Sequence, residues 1–178
     1  MIPVAGISFS AMLEDDGSKY YATVQVNDTD RYDLIQPGML GERVPLQVIN
    51  LTVKNETDSL ELTPDHGVLK FPKGNYSITY ESMVTSNTLH LLFNEPANVS
   101  VILPHPFMVT NPLLTSLQPS GSILEEGNNS TNISWTKVRS AELRYYDEEQ
   151  EHFLFLFAQF WLIIAVVLLI PFFLGKNH

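Results

Sequence analysis

The stretch FLFLFAQFWLIIAVVLLIPFFL occupies residues Phe153 to Leu174 and contains 22 residues without a charged side chain. As an α-helix, which rises about 1.5 Å per residue, it would reach roughly 33 Å and cross a hydrocarbon core of about 30 Å. A core helix of a soluble protein rarely runs this far without a polar face. The stretch therefore predicts one transmembrane helix. Its one strongly polar side chain, Gln159, either bonds to a partner helix within the membrane or reaches interfacial water, and we favour the second role.

The residues on either side of this helix bear on its direction. Residues 145–152 are strongly acidic, and Gly175-Lys176-Asn177-His178 follow the helix. Lys and Arg concentrate on the cytoplasmic side of membrane spans, and here that count sets Lys176 against Arg144 and Arg139. We expect the N-terminal domain outside the cell and His178 in the cytoplasm.

These features give an expected domain organisation. Residues 1–17 form an N-terminal segment, read as a remnant or truncated signal region, because the first eleven residues lack the basic start and apolar run of a signal peptide. A β-domain follows at 18–147 and an acidic juxtamembrane linker at 148–152. The transmembrane helix at 153–174 and a cytoplasmic tail at 175–178 complete the chain.

The glycosylation pattern Asn-x-Ser/Thr supports a location outside the cell. Chance predicts about two such sites for 12 Asn and 26 Ser plus Thr in 178 residues, and the chain has eight. The candidate acceptors are Asn27, Asn50, Asn55, Asn75, Asn98, Asn128, Asn129 and Asn132. A glycan needs a side chain that leaves the core, so we expect at least six of the eight to be exposed to solvent.

The region before the helix has the alternating, β-branched pattern of strands separated by turn residues. Seven strands are predicted at Tyr20–Val26, Val44–Val53, Asn75–Tyr80, Thr88–Phe93, Ala97–Leu103, Ile133–Val138 and Ala141–Tyr146. Turns are expected at 72–74 and 94–96. Short strands at this spacing favour an antiparallel sandwich, with Trp135 and Tyr76 in its core. Residues 69–78 resemble a hairpin of prealbumin-like and immunoglobulin-like sandwiches.

Composition argues against several chemistries. The absence of cysteine excludes disulfides and thiolate chemistry. Up to residue 152, nine basic residues against twenty acidic residues give a charge of −11, which disfavours nucleic acid as a partner. The histidines His66, His90, His105, His152 and His178 fit no metal-binding spacing. The acidic runs lack the ligand pattern of a calcium loop, and catalytic motifs are absent, so we expect no cofactor and no metal.

Five further segments carry a resemblance. They are residues 71–76 (FPKGNY), 99–104 (VSVILP), 111–114 (NPLL), 133–135 (ISW) and 142–147 (ELRYYD), joined by the helix end from Phe160-Trp161 to Pro171-Phe172. In these the chain resembles an uncharacterised family of membrane-anchored archaeal surface proteins of the methanogen type. The resemblance implies an archaeal cell surface and no known activity. Some members look like lipoproteins with an N-terminal cysteine, which this sequence does not contain.

Two functional hypotheses remain. The leading one is a non-enzymatic surface domain or accessory subunit of an envelope complex, anchored in the bilayer by 153–174 and acting through other membrane or envelope proteins. The alternative is a surface hydrolase or metal-dependent enzyme whose site has no recognisable motif.

Overall fold

The computed structural model of the chain describes residues 6–55, 59–127 and 129–174, and for 171–174 it describes the backbone only. In this part of the chain, eleven strands precede one helix, α1 (Glu148–Leu174). The strands are β1 (Ile7–Leu13), β2 (Lys19–Asp33), β3 (Ile35–Pro37), β4 (Arg43–Pro45), β5 (Ile49–Lys54), β6 (Ser59–Leu60), β7 (Val68–Met83), β8 (Thr88–Pro104), β9 (Ser116–Gln118), β10 (Ile123–Glu126) and β11 (Ser130–Arg144). The predicted β-rich domain and apolar C-terminal helix are confirmed. Asn128 and the expected tail at 175–178 lie outside the described residues.

Nine of the described strands form one sheet. Its order is β10-β11-β8-β1-β2-β7-β5-β6, with β9 also paired to β11, while β3 and β4 form a separate hairpin. The expectation of an antiparallel sheet is wrong at one pair, because β1 runs parallel to β8. β11 pairs with both halves of β8, with shifts of register opposite residues 94–96, and β1 pairs with residues 97–102 of β8. The second half of β8 therefore lies between an antiparallel neighbour, β11, and a parallel one, β1.

The N-terminal boundary expected at residue 18 is also wrong. Residues 7–13 are a central strand, bonded to β2 on one side and to β8 on the other. Phe9, Ala11 and Leu13 point inward and are buried. Because a strand buries alternate side chains, these three positions integrate β1 into the domain core.

Several predicted strands are parts of longer ones. The turns expected at 72–74 and 94–96 are bends within β7 and β8. Opposite them, the ladders of β2 and β11 shift register between Val26 and Arg31 and between Trp135 and Ser140. Because a bulge bends a strand without ending its pairing, each strand continues through its bend. The two strands predicted in 133–146 are accordingly one strand, β11, which ends at Arg144.

The strand predicted from Val44 to Val53 is divided for a different reason. Its first residues belong to β4, which pairs with β3, and its last residues belong to β5, which pairs with β7. Residues 46–48 lie between the two strands. The alternating apolar pattern therefore predicted correctly that the backbone is extended here. It could not predict that the pairing partner changes from β3 to β7, because partners are chosen by long-range contacts.

The two aromatic residues predicted to lie in the core do so. Trp135 and Tyr76 are buried. The indole Nε1 of Trp135 donates to the carbonyl of Pro119 at 3.0 Å, and the Tyr76 hydroxyl donates to the carbonyl of Pro72 at 2.8 Å. Each ring is thus buried with its polar atom bonded, as aromatic residues with a polar end require.

The segment expected as a linker, 148–152, is the first part of α1. Asp147 precedes the helix, and its carboxylate accepts a hydrogen bond from the backbone N–H of Gln150 at 2.9 Å. An aspartate in this position satisfies one of the unpaired donors of a helix start. Acidic side chains in the first turn, at Glu148, Glu149 and Glu151, further favour the helix through its dipole.

Tyrosine hydroxyls are enclosed at two places in the domain. Tyr20, Tyr32 and Tyr80 are buried together, and Tyr145 is buried at the end of β11. Burial disfavours the charged phenolate and raises the pKa of Tyr20 and of Tyr145 to about 12 each. Burial also raises the pKa of Tyr32 and Tyr80.

These tyrosines predict loss of stability in alkali. In the unfolded chain they lose their protons near pH 10, whereas the folded protein retains them. The free energy of unfolding should therefore be unaffected below about pH 10 and should fall as the pH rises from about 10 towards 12. Phenolate absorbance and circular dichroism measured together should show the buried groups ionising only as the fold is lost. Ionisation of all seven tyrosines near pH 10, with circular dichroism still native, would contradict this prediction. As a control, Tyr21→Phe changes an exposed tyrosine and should leave the late transition unchanged.

Candidate functional site

The helix α1 has no packing partner along most of its length in the described structure. The segment from Glu148 to Ile170 is long and apolar enough to cross a membrane. None of the residues in its most apolar part is buried. Phe155, Trp161 and Val167 are each more than half exposed. Gln159 is exposed with them. A free apolar surface of this length calls for a non-aqueous environment.

The start of the helix is fastened to the domain. The Tyr145 hydroxyl donates to the carbonyl of Gly17 in the β1–β2 turn at 2.8 Å. A side chain at Gly17 would meet the ring of Phe107, which itself packs edge-on against Tyr145. The residue three positions before the helix, the β1–β2 turn and the loop at Phe107 therefore meet here, and a larger residue at position 17 would displace the Phe107 ring.

Tyr146 holds the loop beside the helix. Its backbone exchanges two hydrogen bonds with Met108, and its hydroxyl accepts from the backbone N–H of Asn111 at 3.0 Å. The Asn111 side chain continues this connection by donating to Glu151 of α1 at 3.3 Å. The loop that follows presents Leu113, which is 79% exposed, next to the first turns of the helix.

Four candidate glycosylation sites lie on the outward face of the sheet. In the sequons that begin at Asn50, Asn75, Asn98 and Asn132, the middle residue points inward or is half-buried and the residues on either side point outward. The register also aligns six hydroxyl side chains across six strands of this face, one from each of β11, β8, β1, β2, β7 and β5. In that order they are Ser134, Ser100, Ser10, Thr23, Thr79 and Thr52. We call this surface the hydroxyl face.

The alternation of a strand explains part of the excess of sequons. Asn and Ser/Thr both favour outward positions, and outward positions recur every second residue. Given an outward Asn, a hydroxyl two residues later is therefore more frequent than composition alone predicts. The number of sequons expected by chance is accordingly higher than two for this fold. This correction does not change whether any one site can carry a glycan.

Two of these asparagines also support the backbone of a neighbouring strand. The Asn75 side-chain oxygen accepts from the N–H of Asp28 at 2.9 Å, and that of Asn98 accepts from the N–H of Lys137 at 3.1 Å. Asp28 and Lys137 both have positive φ and lie where their strands shift register. Because a glycan is attached through the nitrogen, both oxygens would still accept these bonds in a modified protein.

The other sequon side chains differ in their surroundings. Asn50 has positive φ and donates to Glu81 at 2.6 Å, whereas Asn132 is bonded at both ends, to Ser100 at 2.7 Å and to Glu125 at 3.4 Å.

Among the seven described acceptors none is buried. Asn50, Asn55, Asn75, Asn98 and Asn129 are exposed, and Asn27 and Asn132 are half-buried. Five of the seven described acceptors are thus exposed, and the expectation of at least six among eight stays a prediction because Asn128 lies outside the described residues.

A cavity with a mixed polar and apolar lining lies at the end of the sheet where the hairpin is attached. It measures about 520 Å³ and lies where β1 begins, between the bulge of β2 and the bend of β8. Its charged lining includes Arg31 and Asp33, which are paired at 2.6 Å, together with Asp28 and Glu95. Within the described residues, no three His, Asp or Glu side chains approach one another closely enough to hold a metal ion.

One exposed feature was not anticipated from the sequence. At the tip of the β3–β4 hairpin, Met39 and Leu40 are 102% and 95% exposed. Two hydrogen bonds close the turn: the N–H of Gly38 donates to the carbonyl of Glu42 at 2.6 Å, and the N–H of Leu40 donates to the Glu42 carboxylate at 2.9 Å. In the sequence, the two apolar residues between Gly38 and Gly41 could have indicated an exposed apolar turn.

The hairpin and the helix are fastened to opposite ends of the sheet. Arg43 at the hairpin base donates to Asn94 at 2.6 Å, close to the first residues of β1. Tyr145 contacts the turn that follows the last residue of β1. Since β1 has seven residues, roughly 20 Å separates the two ends.

Comparison with known families gives one result. Residues 8–174 match the model of a family of unknown function, DUF5803. The chain belongs to this family. The match extends from β1 to the last turn of α1, so the DUF5803 unit includes both the β-domain and the apolar helix. A comparison with curated proteins gave no match. The resemblance to an uncharacterised family is thereby confirmed.

The bond from Asn75 to Asp28 predicts a stability difference between two variants that both destroy the same sequon. In protein made without glycosylation, Asn75→Ala should destabilise the domain by about 0.5–1 kcal/mol, because the Asp28 N–H then bonds only to water. Its thermal midpoint should fall by about 1–4 °C. Ser77→Ala removes an exposed bond to Gln25 instead and should have a smaller effect. Equal midpoints for the two variants in detergent solution would contradict a structural role for Asn75.

Proposed function

We propose that the protein is a single-pass membrane protein whose β-domain lies outside the cytoplasm and acts without catalysis, as a surface or envelope-complex accessory subunit. The exposed apolar helix carries this proposal. Burying an apolar side chain is worth roughly 1.5–3 kcal/mol, and α1 presents a long series of them to the surroundings. A bilayer provides that burial along the full length of the helix.

The proposed direction places the domain outside and His178 in the cytoplasm. It is supported by the sequons and by the acidic surface, which disfavours retention near anionic cytoplasmic lipid headgroups. The hydroxyl face would carry glycans from Asn50, Asn75 and Asn98. The family resemblance adds the proposal that this surface is that of an archaeal cell.

A protein partner is supported by the exposed hairpin tip. Met39 and Leu40 lie side by side at full exposure on a hydrogen-bonded turn, and methionine is enriched at the centres of protein interfaces. Glycans on the hydroxyl face would direct partners towards other surfaces of the domain, among them this hairpin.

We also infer a two-layer sandwich of the immunoglobulin-like or prealbumin-like class. Strands β2, β7, β8 and β11 each bend near the level where β1 begins, and strands that pass from one layer to the other do so through such bends.

Protease protection tests the proposed direction. In intact cells or right-side-out vesicles, added protease should remove the β-domain and spare a tag placed after His178. The comparison sample is the same membrane opened with detergent, in which the tag should also be lost. Protection of the domain and loss of the tag in sealed vesicles would refute the orientation.

Intact-mass spectrometry of protein from its native membrane tests the glycans. The mass should exceed the 20.1 kDa of the unmodified chain. Ser77→Ala and Ser100→Ala should each remove one increment, because Asn75 and Asn98 are exposed and use only their oxygens in the described bonds. Asn132, bonded at both ends of its amide, should be the least modified. A native mass of 20.1 kDa would show that the sites are unused.

A further inference from the structure

An open groove lies at the base of the domain, between the loop that ends at Leu114 and one side of α1. Its volume is about 630 Å³. The apolar part of its lining comes from Leu114, Phe153, Leu154 and Phe157, and the charged part from Arg144, Asp147 and Glu149. The helix residues in this lining recur three and four positions apart, so they form one stripe of the helix.

We propose that this groove binds one zwitterionic phospholipid of the surrounding bilayer, with its phosphate at Arg144, its ammonium group at Asp147 and Glu149, and an acyl chain along Phe153 and Phe157. The proposal rests on the membrane anchoring argued above and adds a specific lipid contact to it.

The depth of the groove fits a lipid. Phe153 is the first residue of the uncharged segment, and Asp147 lies six residues before it, or about 9 Å along a helix. The polar headgroup layer is of similar thickness, so Arg144 and Asp147 lie at headgroup level when Phe153 meets the hydrocarbon. Phe157 then lies about 6 Å inside the hydrocarbon core.

The charges select the headgroup. The Arg144 guanidinium has no described ion pair, and the sequence has no other Lys or Arg between it and Lys176. A phosphate is the group that arginine recognises best. The carboxylates of Asp147 and Glu149 line the same groove and repel a purely anionic headgroup, whereas they attract an ammonium group.

Hydrogen bonds join the two sides of the groove. Tyr146 holds the preceding loop through Asn111, and Asn111 is bonded to Glu151 of the helix. Below this connection the lining is apolar, with Phe153, Leu154 and Phe157 from the helix. Hydrocarbon chains would occupy this lower part in any membrane, and the charged residues above it select the headgroup.

Native mass spectrometry of the full chain tests the proposal. The protein is reconstituted with equal amounts of phosphatidylethanolamine and phosphatidylglycerol, extracted in mild detergent, and the retained lipid is identified. Phosphatidylethanolamine should be retained over phosphatidylglycerol by about fivefold, because Asp147 and Glu149 attract its ammonium group and repel a headgroup with only negative charge. Glu149→Gln should reduce this preference to about twofold or less. Arg144→Gln should instead lower the retention of both lipids, because both carry a phosphate. Arg139→Gln, at an exposed arginine on the same strand outside the groove, should change neither the retention nor the preference.

Five results would overturn the lipid site: equal retention of both lipids, preference for phosphatidylglycerol, an unchanged preference in Glu149→Gln, unchanged retention in Arg144→Gln, or displacement of the lipid by millimolar inorganic phosphate. A lipid-free dimer would also overturn it, since a second helix would then fill the groove. Flotation with vesicles of the same composition separates this failure from failure of the anchor. Parent and Arg144→Gln should both float, and a parent chain that stays at the bottom would refute the membrane anchoring itself.

Discussion

The pairing of β1 with both β2 and β8 is the constraint on which the domain depends. β1 connects two halves of the sheet. The strands β8, β11 and β10 lie on one side of it, and β2, β7 and β5 lie on the other. The strand also contributes three buried side chains to the core. It is parallel to β8 and antiparallel to β2, so it joins the two halves of the sheet near its centre. The ladders shift register opposite 94–96 and 72–74, where β8 and β7 bend. The described sheet is thus continuous through one seven-residue strand.

The bends create a local problem that asparagine solves. Where a strand shifts register, one residue takes positive φ and its N–H loses its place in the ladder. At Asp28 and Lys137 the missing acceptor is the side-chain oxygen of an asparagine on the neighbouring strand. Both asparagines begin sequons. One residue type therefore serves the backbone through its oxygen, while its nitrogen stays available for a glycan.

The base of the domain joins fold and function. Tyr145 and Tyr146 tie the end of β11 to the first turn of the sheet and to the loop beside the helix, so the helix begins from a fixed point. The β3–β4 hairpin is fastened at the other end of the sheet. In the proposed topology a partner would meet that hairpin away from the bilayer, while the groove at the base would meet lipid.

The sequence alone determined the parts that depend on composition and short-range periodicity. Twenty-two uncharged residues give a long apolar helix, and strict alternation gives strands with Trp135 and Tyr76 inside. The candidate acceptors were likewise readable as motifs, and strand alternation places Asn75 and Asn98 outward. Only the tertiary structure decided that residues 7–13 are a central strand, because the reason is the pairing with residues 97–102, far along the chain. The same holds for the bends at 72–74 and 94–96, where turn residues fail to end a strand when a neighbouring bulge lets pairing resume. The groove at Arg144 joins the loop that ends at Leu114 to a helix some forty residues later, a proximity that long-range packing alone creates.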